Sequence, residues 1–232
     1  MTIDSEVLLA AYLELFPYIR LETRFQFQEL LEETTNLRDN FRAHRNVRGW
    51  STLGLRTLYG NSKFTEAESR YGVNNCSPSD FALTEFAIKC PAIMDSVTKL
   101  SNIDQCRRVR IMALEPGASI PCHRDSSDPV AILMHIPISY DIDCRFSIGL
   151  QHNGIRGPNT VDIPFENGVA MIVNIGSYHS VMNYSSHIRY SVIIEGPPTT
   201  SITGLLELAR KTHPNFTDAD ILMRALKMRL PN

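Results

Sequence analysis

The stretch RIMALEPGASIPCHRD, residues 110–125, joins an apolar run to a Pro-Gly turn and then to a histidine and an aspartate. Further short runs rich in valine and isoleucine follow it, separated by Asn-Gly and Gly-Pro turns: VAILMHIPI, CRFSIGLQ, VDIPF, VAMIVNI and IRYSVIIEG. Six or more short strands at this spacing predict a β-sandwich or a jelly roll. The central part of the chain is therefore expected to be mainly β.

Helical patterns flank this β-rich region. After a capping-type Asp4, apolar residues at helical spacing predict helices through the first 40 residues. The run from Gly49 to Gly60 predicts a strand. Residues 79–100 predict a helix that Pro91 breaks or kinks.

The same patterns predict how the chain is organised. We expect a single domain over residues 1–232, which is a length that one well-buried core can support. Its parts are a helical N-terminal region with one or more strands at 1–100, a β core at 101–197 and two C-terminal helices at 198–232.

Composition limits the partners that the protein can have. Hydrophobic residues make up 43% and charged residues 21% of the chain, and the net charge is −2, which argues against disorder and against nucleic-acid binding. The basic run at Arg107, Arg108 and Arg110 is expected to be the solvent face of a strand. No apolar run is long enough to cross a membrane. Five cysteines without a C-x-x-C pair predict reduced thiols in a cytoplasmic protein. The sequence does not indicate an oligomeric state.

A candidate metal site is suggested by two histidines and a carboxylate. His123 and Asp125 are one residue apart, so on one strand their side chains would point to the same side. His179 opens a later strand, and distant strands can be neighbours in an antiparallel double sheet. Two histidines and one carboxylate form the facial triad of non-haem Fe(II) oxygenases. Without this context, a His-x-Asp pair or a lone histidine is equally compatible with an ordinary structural position.

Arg189 follows His179 by ten residues and lies in a strand. A guanidinium group inside an apolar barrel would be costly to bury without an anion, and 2-oxoglutarate carries a suitable carboxylate. Ser191 shares a strand face with Arg189 and could add a hydroxyl donor. An outward-facing Arg189 in a surface ion pair fits the spacing equally well.

Taken together, the segments RIMALEPGASIPCHRD, AILMHIPI, ENGVAMIVNIGSYHSVMN and IRYSVIIEG resemble the aspartyl/asparaginyl β-hydroxylase family of Fe(II)/2-oxoglutarate-dependent oxygenases, which includes cis-proline hydroxylases. The resemblance covers about ninety residues between Arg107 and Gly196. It implies a double-stranded β-helix, a cupin-like jelly roll with flanking helices. It also implies a hydroxylase that uses Fe(II), 2-oxoglutarate and O2.

The resemblance assigns roles to particular residues. His123, Asp125 and His179 would be the catalytic iron ligands, and Arg189 would bind the distal carboxylate of 2-oxoglutarate. His135 falls where family members place a group near the chelating carboxylate. On its residues alone, His135 is equally well a buried core histidine.

Three positions depart from the aspartyl β-hydroxylase pattern. Asp125 stands where that enzyme has glycine, which brings this chain closer to the proline hydroxylases. Leu133 replaces an arginine, and Met112 replaces the serine that assists the counterpart of Arg189. Ser191 is therefore the candidate for the missing hydroxyl.

The resemblance implies that the substrate is an amino acid, or an Asp-, Asn- or Pro-like residue of a peptide or protein. A substrate carboxylate would require an arginine near the iron, and Arg145 and Arg56 are the candidates preferred over Arg124 and Arg156. Trp50 could line the substrate mouth, although a core position would explain a tryptophan as well.

Two other functions are compatible with the same residues. One is a cupin-type metal enzyme that does not use 2-oxoglutarate, whose activity should survive an Arg189→Ala substitution. The other is a non-catalytic barrel that serves as a binding module. The presence of both Asp125 and Arg189 argues against the latter.

Overall fold

The computed structural model describes residues 4–127, 130–158 and 160–229, with side chains described up to residue 226. In chain order its longer helices and its strands are α1 (Ser5–Leu15), β1 (Tyr18–Arg24), α2 (Phe27–Asn36), β2 (Arg42–Ala43), β3 (Trp50–Leu58), β4 (Phe81–Leu83), α3 (Pro91–Leu100), β5 (Arg108–Leu114), β6 (Ser119–His123), β7 (Ile132–Pro137), β8 (Cys144–Ile148), β9 (Val161–Asp162), β10 (Val169–Asn174), β11 (His179–Asn183), β12 (Arg189–Glu195), α4 (Ile202–Thr212) and α5 (Asp218–Arg229). No helix in the described part of the chain is long and apolar enough to cross a membrane.

The strands form two antiparallel sheets. The large sheet has eight strands in the order β1-β10-β7-β12-β5-β3-β2, with β4 paired to β3. The small sheet has four strands in the order β6-β11-β8-β9. One apolar cluster lies between the sheets, and a second, larger cluster joins the large sheet to the helices. The arrangement confirms the predicted jelly roll with flanking helices.

Strand β5 shows how the large sheet is buried on both faces. Val109, Ile111 and Ala113 belong to the cluster under the helices, whereas Leu114 and Met112 belong to the cluster between the sheets. Neighbouring residues of a strand point to opposite faces, so the sequence alternation decides which cluster each side chain joins. The inner face of this sheet forms one wall of the space between the sheets.

The N-terminal region contains a strand where the sequence predicts only helix. Helix α1 begins after Asp4, whose carboxylate accepts a hydrogen bond from Glu6 N at 2.8 Å, as the capping pattern predicts. The following residues form β1, which pairs with β10 and buries Ile19 and Leu21. Its alternation is a period-two pattern of only a few residues between two helical patterns, and pairing with β10 decides its conformation.

Residues 79–100 also differ from the helix, broken or kinked at Pro91 into two short pieces, that is expected from the sequence. Phe81–Leu83 form the short strand β4, and helix α3 begins at Pro91. A proline in the first turn costs no hydrogen bond, because its missing N–H would have no partner inside the helix. The carboxylate of Glu33 accepts from Ala92 N and Ile93 N at 2.8 and 2.9 Å. Pro91 therefore starts the helix instead of interrupting it.

Asn174, at the end of β10, ties the helical layer to the sheet close to the candidate site. Its amide nitrogen donates to Leu13 O at 3.1 Å, and its side-chain oxygen accepts from Ala131 N at 3.0 Å and Gly176 N at 3.1 Å. The side chain is fully buried. These bonds fix the turn that leads from β10 towards His179.

Candidate active site

The structure brings His123, Asp125 and His179 together at one edge of the small sheet. His179, the first residue of β11, lies opposite His123, the last residue of β6. Asp125 lies just beyond β6, where its backbone N–H donates to Ile175 O at 3.1 Å. The carboxylate oxygens of Asp125 are 3.3 Å from Nε2 of His123 and 3.9 Å from Nε2 of His179.

This donor set fits a divalent metal ion. One ligand atom from each of the three residues lies within 4.8 Å of the others. Two imidazoles and a carboxylate on one side leave the opposite side of a coordination sphere open. The sequence places Asp125 on the same strand as His123, but the loop after the strand turns its carboxylate back to the two rings.

A backbone carbonyl oxygen orients each imidazole ring through a hydrogen bond to Nδ1. Nδ1 of His123 donates to Pro121 O at 2.7 Å, and Nδ1 of His179 donates to Ser177 O at 2.9 Å. A carbonyl oxygen can only accept, so the proton lies on Nδ1 in each ring. Nε2 of each neutral ring is then the nitrogen left to bind a metal. Burial lowers the pKa of His123, but without a metal its hydrogen bonds to Asp125 and Pro121 O outweigh burial and raise the pKa overall, so Nε2 takes up a proton and donates it to the Asp125 carboxylate.

The charges of the three groups are coupled. Burial raises the pKa of the Asp125 carboxyl, but the hydrogen bond from His123 and the field of His179 outweigh it and lower the pKa overall. Burial lowers the pKa of His179, and the nearby His123 adds to this effect. The site thus favours an ionised carboxylate beside a neutral His179, the protonation states of metal ligands.

A cavity of about 840 Å³ runs from this cluster between the two sheets. Arg189 and Ser191 on β12 line it, and they are 5% and 1% exposed. The Arg189 guanidinium lies 5.4 Å from the centre of the Tyr140 ring. Among the described residues, neither Nε of Arg189 nor Oγ of Ser191 has a hydrogen-bond partner.

A buried guanidinium group without a counter-ion is costly, because its charge has lost the hydration of water. Burial lowers the pKa of Arg189, which expresses the same cost. A carboxylate bound between Arg189 and Ser191 would compensate it. The arrangement therefore fits the distal carboxylate of 2-oxoglutarate, and it excludes the alternative in which Arg189 faces outward.

His135 lies in the same cavity, on β7, and both of its ring nitrogens are buried without a partner among the described residues. Burial, followed by the charge of Arg189, lowers its pKa to about 3. The ring is therefore neutral near pH 7 and offers one N–H donor and one acceptor. A core histidine would have these atoms satisfied by the protein.

The two substituted positions also line the cavity. Leu133 contributes an apolar wall, and Met112 lies opposite Ser191 in the strand register. The sulfur of Met112 accepts from the Thr52 hydroxyl at 3.4 Å. Ser191 is therefore the direct neighbour of Met112, which stands where aspartyl β-hydroxylase has the assisting serine.

The structure places the three expected substrate residues differently. Trp50 lines the cavity and stacks on His44, with ring centres 4.1 Å apart. Arg56 is instead buried in the protein, where it donates to Cys106 O at 2.9 Å and to Pro78 O at 3.2 Å.

Arg145 is exposed, and its Nε is 3.9 Å from a carboxylate oxygen of Asp162. Neither Arg145 nor Arg56 lines the cavity. The expectation that they face the substrate is corrected, because β3 turns the Arg56 guanidinium to buried backbone carbonyls and β8 turns Arg145 to solvent beside Asp162.

Sequence reasoning missed Arg110. The basic run suggested a solvent-facing side chain, but Arg110 lines the cavity beside Met112. The alternation of RVRIMALE contained the necessary information, since Arg110, Met112 and Leu114 share one strand face. What the alternation could not indicate was that this face is covered by a second sheet.

Comparison with known proteins supports the family and the fold. Residues 19–196 match the family model described as aspartyl/asparaginyl beta-hydroxylase. No curated protein sequence matches the chain significantly.

Among solved structures, a 2OG-Fe(II) oxygenase family oxidoreductase from Burkholderia pseudomallei has 12% identity and a TM-score of 0.50, with 84% of this chain and 90% of that chain covered. HygX from Streptomyces hygroscopicus, solved with nickel and 2-oxoglutarate bound, has 10% identity and a TM-score of 0.49, covering 84% and 88%. A Pseudomonas putida prolyl-4-hydroxylase has 13% identity and a TM-score of 0.46, covering 81% and 96%. At 12% identity the likeness to the Burkholderia structure concerns the fold alone.

The family match spans both sheets, the three candidate metal ligands and Arg189. It favours the oxygenase over the two alternatives, a cupin-type enzyme without 2-oxoglutarate and a binding module. The chain belongs to the aspartyl/asparaginyl β-hydroxylase family and is an Fe(II)- and 2-oxoglutarate-dependent oxygenase.

Proposed function

We propose that the protein hydroxylates an unactivated C–H bond of an amino acid or of an amino-acid residue in a peptide. The observation that carries this proposal is the pairing of two features in one cavity. The cluster of His123, Asp125 and His179 is suited to Fe(II), and the uncompensated Arg189 with Ser191 is suited to a carboxylate.

In this proposal the protein holds the metal on one side only. His123, Asp125 and His179 would provide three ligands, and the open positions face the cavity. The backbone carbonyls of Pro121 and Ser177 keep the rings in place, so that Nε2 does not have to be reoriented when the metal binds.

The cosubstrate is oriented by charge and hydrogen bonds. Arg189 and Ser191 would hold the distal carboxylate of 2-oxoglutarate, and the single N–H of the neutral His135 would donate to its chelating end. The three side chains lie on neighbouring strands, because Ile193 of β12 pairs with His135 of β7. A molecule fixed at both ends reaches the metal in one orientation.

When bound, iron and 2-oxoglutarate supply the oxidative chemistry, in which one oxygen atom of O2 enters the substrate as a hydroxyl group, the other enters succinate, and CO2 is released. The residues of the chain bind, orient and exclude water. Apolar side chains such as Phe146, Leu133 and Ile193 line the cavity and limit access of solvent to the reacting atoms.

We further propose that the helices and sheets form a single oxygenase domain. The apolar cluster that contains Leu8 of α1 and Leu205 of α4 also contains Ile172 of β10 and Val192 of β12. We also propose that the protein works in the reducing cytoplasm, because all five of its cysteines are free.

Cosubstrate binding tests the proposed function. Under anaerobic conditions, Fe(II) and 2-oxoglutarate should together give the weak visible charge-transfer band of the chelate. Arg189→Gln should weaken 2-oxoglutarate binding by roughly 10- to 150-fold, because hydrogen bonds to a charged group contribute about 1.5–3 kcal/mol.

Arg145→Gln is the matched control, since it removes the same charge from an exposed position. It should leave the band unchanged. A band that does not depend on Arg189, or bound iron without any band, would overturn the assignment and favour a cupin-type enzyme that does not use 2-oxoglutarate.

A further inference from the structure

The outer part of the cavity contains an arginine that the proposed cosubstrate site does not use. Arg110 lies on β5, opposite Gly54 of β3 on one side and Ile193 of β12 on the other. It is partly exposed, and it lines the cavity that also contains Asp125. Ile193, the partner of Arg110, and Arg189 are four residues apart on β12. The guanidinium groups of Arg110 and Arg189 therefore lie at different places on the same wall of the cavity.

Arg110 has no ionic partner in the described part of the chain. One of its terminal nitrogens, Nη1, donates to Thr65 O at 3.1 Å, and its Nε is buried without a hydrogen bond. A neutral carbonyl accepts a hydrogen bond but does not compensate the charge. Arg110 therefore resembles Arg189 in having a donor group prepared for an anion.

The other arginines nearby are paired, which makes Arg110 an exception. Arg108 lies 2.6 Å from Glu195 and 3.5 Å from Glu68, and Arg107 lies 3.5 Å from Glu68. The neighbouring carboxylates are thus already occupied by other cations.

A second set of ion pairs lies beside the first. Glu66 contacts Arg70 at 3.1 Å and Arg45 at 3.6 Å. Together with the pairs around Glu68 and Glu195, four guanidinium groups share three carboxylates in this region, and Arg110 adds a fifth positive charge. The outer part of the cavity consequently carries an excess of positive charge, and it attracts anions.

The charge of Arg110 persists at neutral pH although its surroundings oppose it. Burial, followed by repulsion from Arg108, lowers its pKa to about 10, while Glu195, Asp125 and Glu68 act in the opposite direction. A charge kept at such a cost without a partner is typical of a functional position.

We propose that Arg110 binds a carboxylate group of the substrate, and that this contact selects acids over the corresponding neutral amides. The inference rests on the proposed function, because it assumes that Arg189 is occupied by 2-oxoglutarate. Arg110 then provides the specificity for the second molecule in the cavity. Arg110 takes the role that the sequence suggested for Arg145 and Arg56.

Trp50 makes binding measurable without turnover. It is the only tryptophan of the chain and lines the same cavity, so its fluorescence reports occupancy there. The probes are L-amino acids, N-acetyl-L-amino acids and tripeptides, each compared with its own C-terminal amide, and Asp and Glu compared with Asn and Gln. They are titrated into anaerobic protein loaded with Fe(II) and 2-oxoglutarate, and the same pairs are assayed for succinate formation.

At least one acid should bind roughly 10- to 150-fold more tightly than its amide. Arg110→Gln should remove that difference, and Arg110→Lys should restore part of it. The class of probe that shows the difference identifies whether the carboxylate belongs to a free amino acid, a peptide C-terminus or a side chain. Arg145→Gln, which lies outside the cavity, should behave as the wild type.

The outcomes separate this inference from the proposed function. If Arg110→Gln retains the charge-transfer band of the iron chelate but loses the preference for the acid, both are supported. If no acid in the panel binds better than its amide, or if Arg110→Gln keeps the preference, the role of Arg110 is overturned while 2-oxoglutarate binding stands. If the wild type gives no charge-transfer band, the proposed function itself fails.

A second measurement does not depend on the choice of probe. Arg110→Met should leave the Tm of the ligand-free protein unchanged or raise it, because it removes an uncompensated charge. Arg108→Met breaks two ion pairs and should lower the Tm. A loss of stability in Arg110→Met as large as that in Arg108→Met would show that Arg110 is structural.

Discussion

The two faces of the large sheet are built from the same strands, but one face packs against the helices and the other lines the cavity. On the face under the helices, Ile111, Ile136 and Val192 pack in a closed apolar cluster. On the cavity face, the next residues along two of these strands are Arg110 and Ser191, and Nε of the first and Oγ of the second have no hydrogen-bond partner among the described residues. Burial of apolar side chains on the first face stabilises the fold, whereas unsatisfied polar atoms on the second face reduce the free energy of unfolding.

Neighbouring residues of one strand therefore serve either the stability of the fold or the function of the site. A fully satisfied, apolar face makes the native state unique. Uncompensated donors are tolerated only where a ligand supplies the missing acceptor, and removing them often stabilises a protein while its activity is lost. Substitutions on the two faces should therefore have opposite consequences for stability and activity.

The largest effect is expected for the metal cluster. Asp125→Ala removes the only carboxylate of the set and should reduce turnover by more than about 1000-fold. Even the loss of a residue that only hydrogen-bonds to a metal ligand typically reduces metal affinity or activity by about 10- to 100-fold. Succinate formation and Fe(II) affinity provide the measurement, and the Tm of the metal-free protein should change little. Turnover that survives the substitution would place the reaction elsewhere in the chain.

On the helical face, Ile136→Ala should lower the free energy of unfolding by about 2–5 kcal/mol, because it leaves a cavity under the helices. Denaturant unfolding measures the change. The dissociation constant for 2-oxoglutarate should stay the same in the fraction of the protein that is folded. An equal loss of affinity would show that the two faces are coupled.

On the cavity face, Arg189→Met should raise the free energy of unfolding of the ligand-free protein by about 1–3 kcal/mol, since an unsatisfied buried group is replaced by an apolar one. The same denaturant experiment measures it. A destabilised variant would indicate that Arg189 contributes to the fold through its contacts with Tyr140 and Phe165.

His135→Gln should change the pH dependence of stability. The pKa of His135 in the folded protein, about 3, lies below its ordinary value of 6.5, so the unfolded chain takes up the proton first as the pH falls. In the wild type, the contribution of His135 to the free energy of unfolding has its full value above pH 6.5. Below pH 6.5 it decreases by up to about 1.4 kcal/mol per pH unit.

The substitution removes this loss, so the two proteins should diverge below pH 6.5 and remain parallel above it. Metal-free protein is used, so that loss of metal does not contribute. Identical acid limbs in the variant and the wild type would mean that His135 is already protonated or partnered in the folded state.

Local patterns of the sequence predicted much of the β core and the candidate site. The alternation around Ile111 and the Pro-Gly turn before His123 are short-range features, and the structure contains the strands and turn that they predict. Residues 81–83 were predicted to be helical but form a strand. Their patterns fit both helix and strand, and contacts far along the chain decided between them.

The sequence by itself determined the type of fold and the residues able to bind a metal, because strand alternation and the donor atoms of side chains are properties of the chain. Only the tertiary structure placed His123 opposite His179, since that depends on pairing between strands separated by more than fifty residues. It also distinguished Arg110, which faces the cavity, from Arg56 and Arg145, which do not. Burial and ion pairing depend on the neighbours that a side chain acquires when the sheets close around it.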